Sequence, residues 1–149
     1  MSQSPAEIAK NWFEVVWNQG RRDAIAQMMA PNVLFHDANV DTQGIVPFQQ
    51  FFDRMHAVLS NIHIDVDDTL VDGEKVCLRW RAIANHTGDG LGIPPTGKEV
   101  RITGISVVRV VDGIFVEAWQ NWDMMGMMEQ IKSHSQSLPA QSELRIGPG

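Results

Sequence analysis

RWRAIANHTGDGLGIPPTGKEVRITGISVVRVVDGIFVEAWQNWD, residues Arg79 to Asp123, carries two long alternating segments that meet at Asp112-Gly113. An Asp-Gly pair between alternating runs is a strong hairpin signal, because the tight turn needs residues that tolerate positive φ. Strands are therefore predicted over 99–111 and 114–122. The block opens in a third alternating run that ends at His86 in a glycine- and proline-rich loop, HTGDGLGIPPTG. That loop leads into a strand. A phosphate cradle needs glycines that open a helix, so phosphate binding is not expected here.

Working outward, Asp72-Gly73 repeats the hairpin signal and gives strands over about 62–71 and 74–86. Before them, Pro47 opens a helix whose Phe48, Phe51, Phe52, Met55, Val58 and Leu59 recur at helical spacing. Asn32 to Asp37 reads as a short strand, and Arg22 to Ala30 as a short helix stopped by Pro31. Ser4-Pro5-Ala6-Glu7 has a capping serine, a proline at the first helical position and a glutamate that can close a capping box. Ile8, Trp12 and Val15/Val16 continue that first helix, and Gly20 is its natural stop. On the other side, Asp123 is placed to cap a last helix to Ile131. Residues 133–149 have little apolar content and are expected to form a loosely ordered tail outside a single domain of 1–132. Helices that precede a run of antiparallel strands segregate to one face of the sheet. The predicted fold is α+β: a cone-shaped barrel in which a strongly curved antiparallel or mixed β-sheet is covered by three N-terminal helices around an internal pocket.

Composition narrows the partners. The net charge of −6 argues against a nucleic-acid backbone, which needs a basic face. No apolar run approaches a membrane span, and the N-terminus lacks a basic region followed by an apolar core, so neither a membrane nor a secretion signal is expected. A single cysteine, Cys77, permits no intrachain disulfide, and a cytoplasmic setting is the default. Cys77 sits mid-strand and reads as core or interface. Five Trp and six Phe stand beside no Tyr, so no phenol can serve as an acid or oxyanion donor. No histidine pair has metal-binding spacing, and neither metal nor cofactor is expected.

Arg79-Trp80, His86-Thr87-Gly88, Leu91 through Gly97, Gly104-Ile105 followed by Arg109, Asp112-Gly113, and Glu117-Ala118-Trp119 followed by Asp123 carry a family likeness. Over roughly residues 5–132 the chain resembles the SnoaL-like polyketide cyclases, also called ester cyclase-like proteins, of the nuclear transport factor two-like superfamily. The resemblance implies a cone-shaped barrel, a buried pocket and a homodimer formed through sheet faces. It does not imply one reaction, since the superfamily holds cyclases, isomerases, dehydratases, epoxide hydrolases and proteins with no known activity. The cyclases it resembles use an aspartate immediately after the tryptophan of the last strand as acid/base, assisted by a histidine on the neighbouring strand. The matching positions here hold Gln120 and Ser106.

Strand parity sorts the side chains by face. Ile102, Gly104, Ser106, Val108 and Val110 form one set on the third long strand, and Val116, Ala118, Gln120 and Trp122 form one on the last. These smoother sets are the expected pocket wall, joined by Trp80 with Val76, Leu78, Ala82 and Ala84. Arg79, Arg81 and Arg109 then point outward, toward ion pairs or a dimer contact. An amide has no usable pKa for proton transfer, so Gln120 can orient or polarise a carbonyl but cannot replace the aspartate.

The remaining catalytic candidates are His36, Asp37 and Asp123. His36 and Asp37 close the first strand, and adjacent residues face opposite ways, so at most one looks inward. Asp123 is either a carboxylate raised in pKa by Trp122 or simply a helix cap. His86 either lines the entrance or bonds to the loop. Trp80, His86, Ser106, Gln120 and Trp122 are the expected ligand-pocket residues. Two functions follow: a cofactor-free cyclase, isomerase or hydrolase acting on a hydrophobic, carbonyl-containing small molecule by acid/base catalysis, or a non-catalytic ligand-binding or accessory dimeric domain of the same fold.

Overall fold

Ser4 Oγ accepts the Glu7 N–H at 3.1 Å while Glu7 Oε1 accepts the Ser4 N–H at 2.8 Å, so the capping box predicted from sequence starts the first helix. The computed structural model describes residues 3–38 and 40–133, and the expected tail, apart from Ser133, lies outside the described residues. Helix α1 spans Pro5–Trp12 and continues as a π-helical segment, Phe13–Asn18. Ala9, Trp12, Phe13, Val16 and Trp17 bury one face of this rod. Helix α2 (Asp23–Met28) is shorter than expected, because strand β1 (Met29–His36) already begins at Met29. Pro31 lies inside that strand instead of ending a helix. It is tolerated because the ladder to the last strand is interrupted between Met29 and Leu34, where no donor is needed.

A short β2 (Asp41–Gln43), not foreseen from the sequence, turns back along β1. Helix α3 (Ile45–His56) starts two residues before Pro47 and buries Phe48, Phe51 and Phe52. Then come β3 (Leu59–Asp72), β4 (Lys75–His86), β5 (Glu99–Val111), β6 (Ile114–Trp122) and α4 (Met124–Lys132). The six strands form one sheet in the order β2-β1-β6-β5-β4-β3. All neighbours are antiparallel except β1 and β6, so the sheet is mixed.

The two Asp-Gly hairpins differ by one residue. At Asp112-Gly113 both residues hold positive φ, 51° and 82°, as a type I′ turn requires. At the other hairpin Asp72 pairs with Lys75, so Gly73 (φ 61°) is the first turn residue and Asp72 belongs to the ladder.

Two side-chain amides complete strand edges. Asn18, at the end of the π-helical segment, donates to Ile64 O at 3.0 Å and accepts Ile64 N–H at 2.6 Å, tying the helix to edge strand β3. Gln130 on α4 makes the same reciprocal pair with Arg101 of β5, each bond 2.8 Å, where β6 has already ended. These bonds satisfy backbone groups that would otherwise be orphaned at the ladder's end. Helices α1 and α3 cover the inner face of the curved sheet, and Met127 and Ile131 of α4 are buried. The bidentate Arg22–Asp53 pair, at 2.8 and 3.0 Å, links α2 to α3 across the surface.

Candidate functional site

Parity alone gave one wrong assignment on β6. A bulge opens between the pairs Arg109↔Glu117 and Val110↔Phe115, so Val116 is left over and Phe115 turns inward. Phe115 is 1% exposed and lies on the same face as Ala118. Beyond the bulge the expected set holds.

Ala118, Gln120 and Trp122 face inward beside Val108, Ser106 and Gly104, their direct cross-strand partners. Gly104 is opposite Trp80 on β4, and the indole lies flat across it. A Cβ at Gly104 would fall 2.2 Å from the Trp80 ring, so only glycine permits this packing.

Between this wall and the helices is a small, half-open cavity with about 50 Å³ available to the centre of a water-sized sphere. Phe13 and Trp17 from the helical rod, Phe51 and Met55 from α3, and Ile62, Ile64, Trp80, Ala82, Ala84, Ile102 and Trp122 from the strands surround it. Gln120 is the one polar residue among the described residues that line it. Trp80 Nε1 donates to Ser106 Oγ at 3.0 Å, and Ser106 Oγ stands 3.5 Å from Gln120 Oε1. The amide nitrogen of Gln120 has no hydrogen-bond partner among the described residues.

Of the five residues expected to line a ligand site, Trp80, Gln120 and Trp122 line the cavity. Ser106 lies just behind it, bordering a smaller void shared with Gln120, Trp12, Phe35 and Phe115. His86 is fully buried and does not line the cavity. Its Nδ1 accepts the Thr96 N–H at 3.2 Å and is 2.9 Å from the Thr96 hydroxyl, so it ties down the loop after β4. With Nδ1 accepting, the ring proton sits on Nε2, which has no partner among the described residues. The loop is pinned at its other end too. Thr87 and Gly88 donate to Val58 O, and a Cβ at Gly88 would overlap Ala57 O at 2.1 Å.

The three catalytic candidates stand away from the cavity, each for a legible reason. Phe35 points inward, so His36 points to the outer face, where its Nδ1 meets Asp41 at 2.8 Å and its Nε2 meets Glu117 at 2.7 Å. Only an imidazolium donates from both nitrogens, and the hydrogen bonds to Asp41 and then Glu117 push the His36 pKa upward. The ring also stacks on Trp119 at 5.3 Å. Asp37 accepts the Ala38 N–H at 2.8 Å and shapes the turn toward β2. Asp123 caps α4 by accepting the Gly126 N–H at 2.8 Å and borders a separate open depression lined by Arg79, Arg81, Asn121 and Gly104, with Trp80 and Trp122 shared with the cavity. The arginines face outward: Arg79 pairs with Asp68 at 3.1 Å, Arg81 with Asp67 at 3.1 Å, and Arg109 with Glu74 at 3.4 Å.

The cavity-lining residues that the sequence reading did not single out come mostly from elements remote in the chain. Phe51 and Met55 had a signal in the α3 stripe, and Ile62 and Ile64 in the alternation of β3. Trp17 had none, because it lies in the π-helical segment past the regular helical spacing.

The family model for SnoaL-like polyketide cyclases matches residues 7–131. The chain belongs to that family. No curated protein matches it. Among solved structures, it is similar to a candidate polyketide cyclase from Acidithiobacillus ferrooxidans at 25% identity and a TM-score of 0.80, covering 91% of this chain and 100% of that one. A candidate SnoaL-like polyketide cyclase from Jannaschia sp. CCS1 is 22% identical with a TM-score of 0.79, over 91% of this chain and 99% of that one. The candidate cyclase IdmH from Streptomyces antibioticus is 23% identical with a TM-score of 0.78, over 88% and 100%. This SnoaL-like chain thus has the family's sheet and helices, with Gln120 and Ser106 adjacent on its inner wall.

Proposed function

We propose that this SnoaL-like protein binds a hydrophobic, carbonyl-bearing small molecule in the cavity between its helices and its inner sheet face. One observation carries the reading: a cavity walled by aromatic and aliphatic side chains contains a single polar side chain, the amide of Gln120, among the described residues. Apolar walls supply affinity by burying ligand surface, and one polar group supplies orientation. Family membership favours a second reading, a cofactor-free cyclase, isomerase or hydrolase. No described carboxylate or imidazole lines the cavity. Turnover would then rest on holding a reactive chain folded and polarising its carbonyl, without proton transfer from those groups.

The binding test is a titration with indane and 1-indanone, followed by tryptophan fluorescence and by NMR shifts of the Ile64 and Ile102 methyl groups. Both molecules are expected to bind, and Ala82→Phe, which fills the cavity, is expected to abolish both. Binding that survives Ala82→Phe, or no binding at all, overturns the reading.

The expected partner, a second copy, is also a proposal. Leu70, Cys77, Val107, Trp119 and His36 form one continuous cross-strand row over the outer face. Leu70 is 71% exposed and nearby Ile105 is 48% exposed, which supports a covered apolar stripe. A dimer in sedimentation equilibrium that Val107→Glu converts to monomer would support it. A monomeric wild-type protein would remove it.

A further inference from the structure

The relay behind the cavity wall has a direction. An indole N–H can only donate, so Trp80 Nε1 occupies a lone pair of Ser106 Oγ. The Ser106 hydroxyl keeps one proton and is almost wholly buried, at 4% exposed. The acceptor the structure offers for that proton is Gln120 Oε1, at 3.5 Å. This contact is long, so it orients the amide more than it stabilises it. If the oxygen of the amide turns toward Ser106, its NH₂ group is left over, with two donors and no partner among the described residues. The side chain borders the cavity. What remains for these donors is an acceptor brought in from outside.

We propose that Trp80 and Ser106 are positioning residues that set the polarity of Gln120, so that the cavity selects ligands carrying a hydrogen-bond acceptor on an otherwise apolar body. This inference rests on the binding reading above and adds which polar group of the ligand is read and by what. The cavity rewards a ketone, ester or quinone oxygen. It favours such an acceptor over a group that can only donate, because the one amide oxygen in the lining is turned toward Ser106. A glutamine fixed only by its own rotamers could flip and accept either kind. The serine removes that freedom, and the tryptophan in turn fixes the serine. An acidic residue at position 120 would reverse the polarity, since a carboxylate only accepts.

The test uses the full chain with 1-indanone and indane, which share a shape and differ in one carbonyl. In the wild-type protein the infrared carbonyl stretch of bound 1-indanone is expected at lower frequency than in an alkane solvent, as a hydrogen-bonded ketone shows. Gln120→Met is expected to return the band to its alkane position and lower the indanone-to-indane affinity ratio by about three- to tenfold, the range for one net hydrogen bond. Ser106→Ala is expected to broaden the band and lower the ratio less, about twofold. Ser106→Thr keeps the hydroxyl and is expected to restore both. A purely structural role for Ser106 would shift the affinity for both molecules together and leave the band alone. A wild-type band at the alkane position overturns the proposal without any variant, and so does a Ser106→Ala protein with unchanged band and ratio. Failure of both molecules to bind is the distinct outcome that removes the binding reading, and this inference falls with it.

Discussion

The two faces of one sheet hold the same kinds of residue under opposite rules. On the inner face Trp80 is 6% exposed, lies against Gly104 and has its N–H satisfied by Ser106. On the outer face Trp119 is only half-buried, stacks on His36 and sits 5.1 Å beneath the Lys75 ammonium. The inner tryptophan is held by shape and by the cost of an unmade hydrogen bond. The outer one is held by charges that water and salt can replace. Inner-face positions should therefore be unforgiving and pH-independent, and outer-face positions tolerant and pH-dependent.

The largest expected contrast is between the two tryptophans themselves. Trp80→Ala should cost about 3–5 kcal/mol in chemical denaturation, as for large-to-small changes in cores. Trp119→Ala, measured where the protein is monomeric, should cost well under that, and equal losses would break the comparison. Gly104→Ala comes next, at about 1–3 kcal/mol of overpacking, because its methyl group would enter the Trp80 ring. In a Trp80→Leu background the same change should cost little, and a double-mutant cycle reads the coupling. Ser106→Ala strands the buried indole N–H and should cost about 1–2 kcal/mol.

Asp123→Ala removes the cap of α4 and should cost about 1 kcal/mol in thermal unfolding while leaving 1-indanone binding unchanged. A loss of binding there would restore Asp123 to the site.

The smallest effect belongs to the outer face. His36 is held above its ordinary pKa by Asp41 and Glu117, with Arg109 3.8 Å from Glu117 tempering that carboxylate. A raised histidine pKa means the folded state holds the proton more tightly than the unfolded one. Its contribution is full below the unfolded value of about 6.5 and is lost as pH rises through the higher folded value. The melting temperature of the wild-type protein should fall slightly from pH 6 to pH 8 relative to His36→Gln. Parallel pH profiles for the two would remove the ion pairs from the account.

Much of the frame was legible because it is written in local rules. The Ser4 capping box, the Asp112-Gly113 turn, the parity of β5 and the Asp123 cap each depend on residues a few positions apart. The errors came where distant elements override local ones. Pro31 reads as a helix stop, yet the gap in the β1–β6 ladder lets it stand inside a strand. Val116 reads as inward, yet a bulge set by the pairing with β5 turns Phe115 in instead. His36 and Asp123 read as candidates for chemistry because sequence shows a residue's type and not its face. For His86 the sequence left an entrance position and a bond to the loop open, and the folded loop has it bonded to Thr96.

By itself, then, the stretch from Arg79 to Asp123 determined the hairpins, the face that Trp80, Gln120 and Trp122 share, and the family. Periodicity and turn chemistry suffice for that, since both act between near neighbours in the chain. Tertiary structure alone decided that Trp17, Phe51 and Ile64 meet Gln120 around one cavity, and that the ionisable candidates stand outside it. Which residues converge depends on the curvature of the sheet and the seating of helices on it. Those are summed over many weak contacts between distant residues, and no short stretch of sequence records the sum.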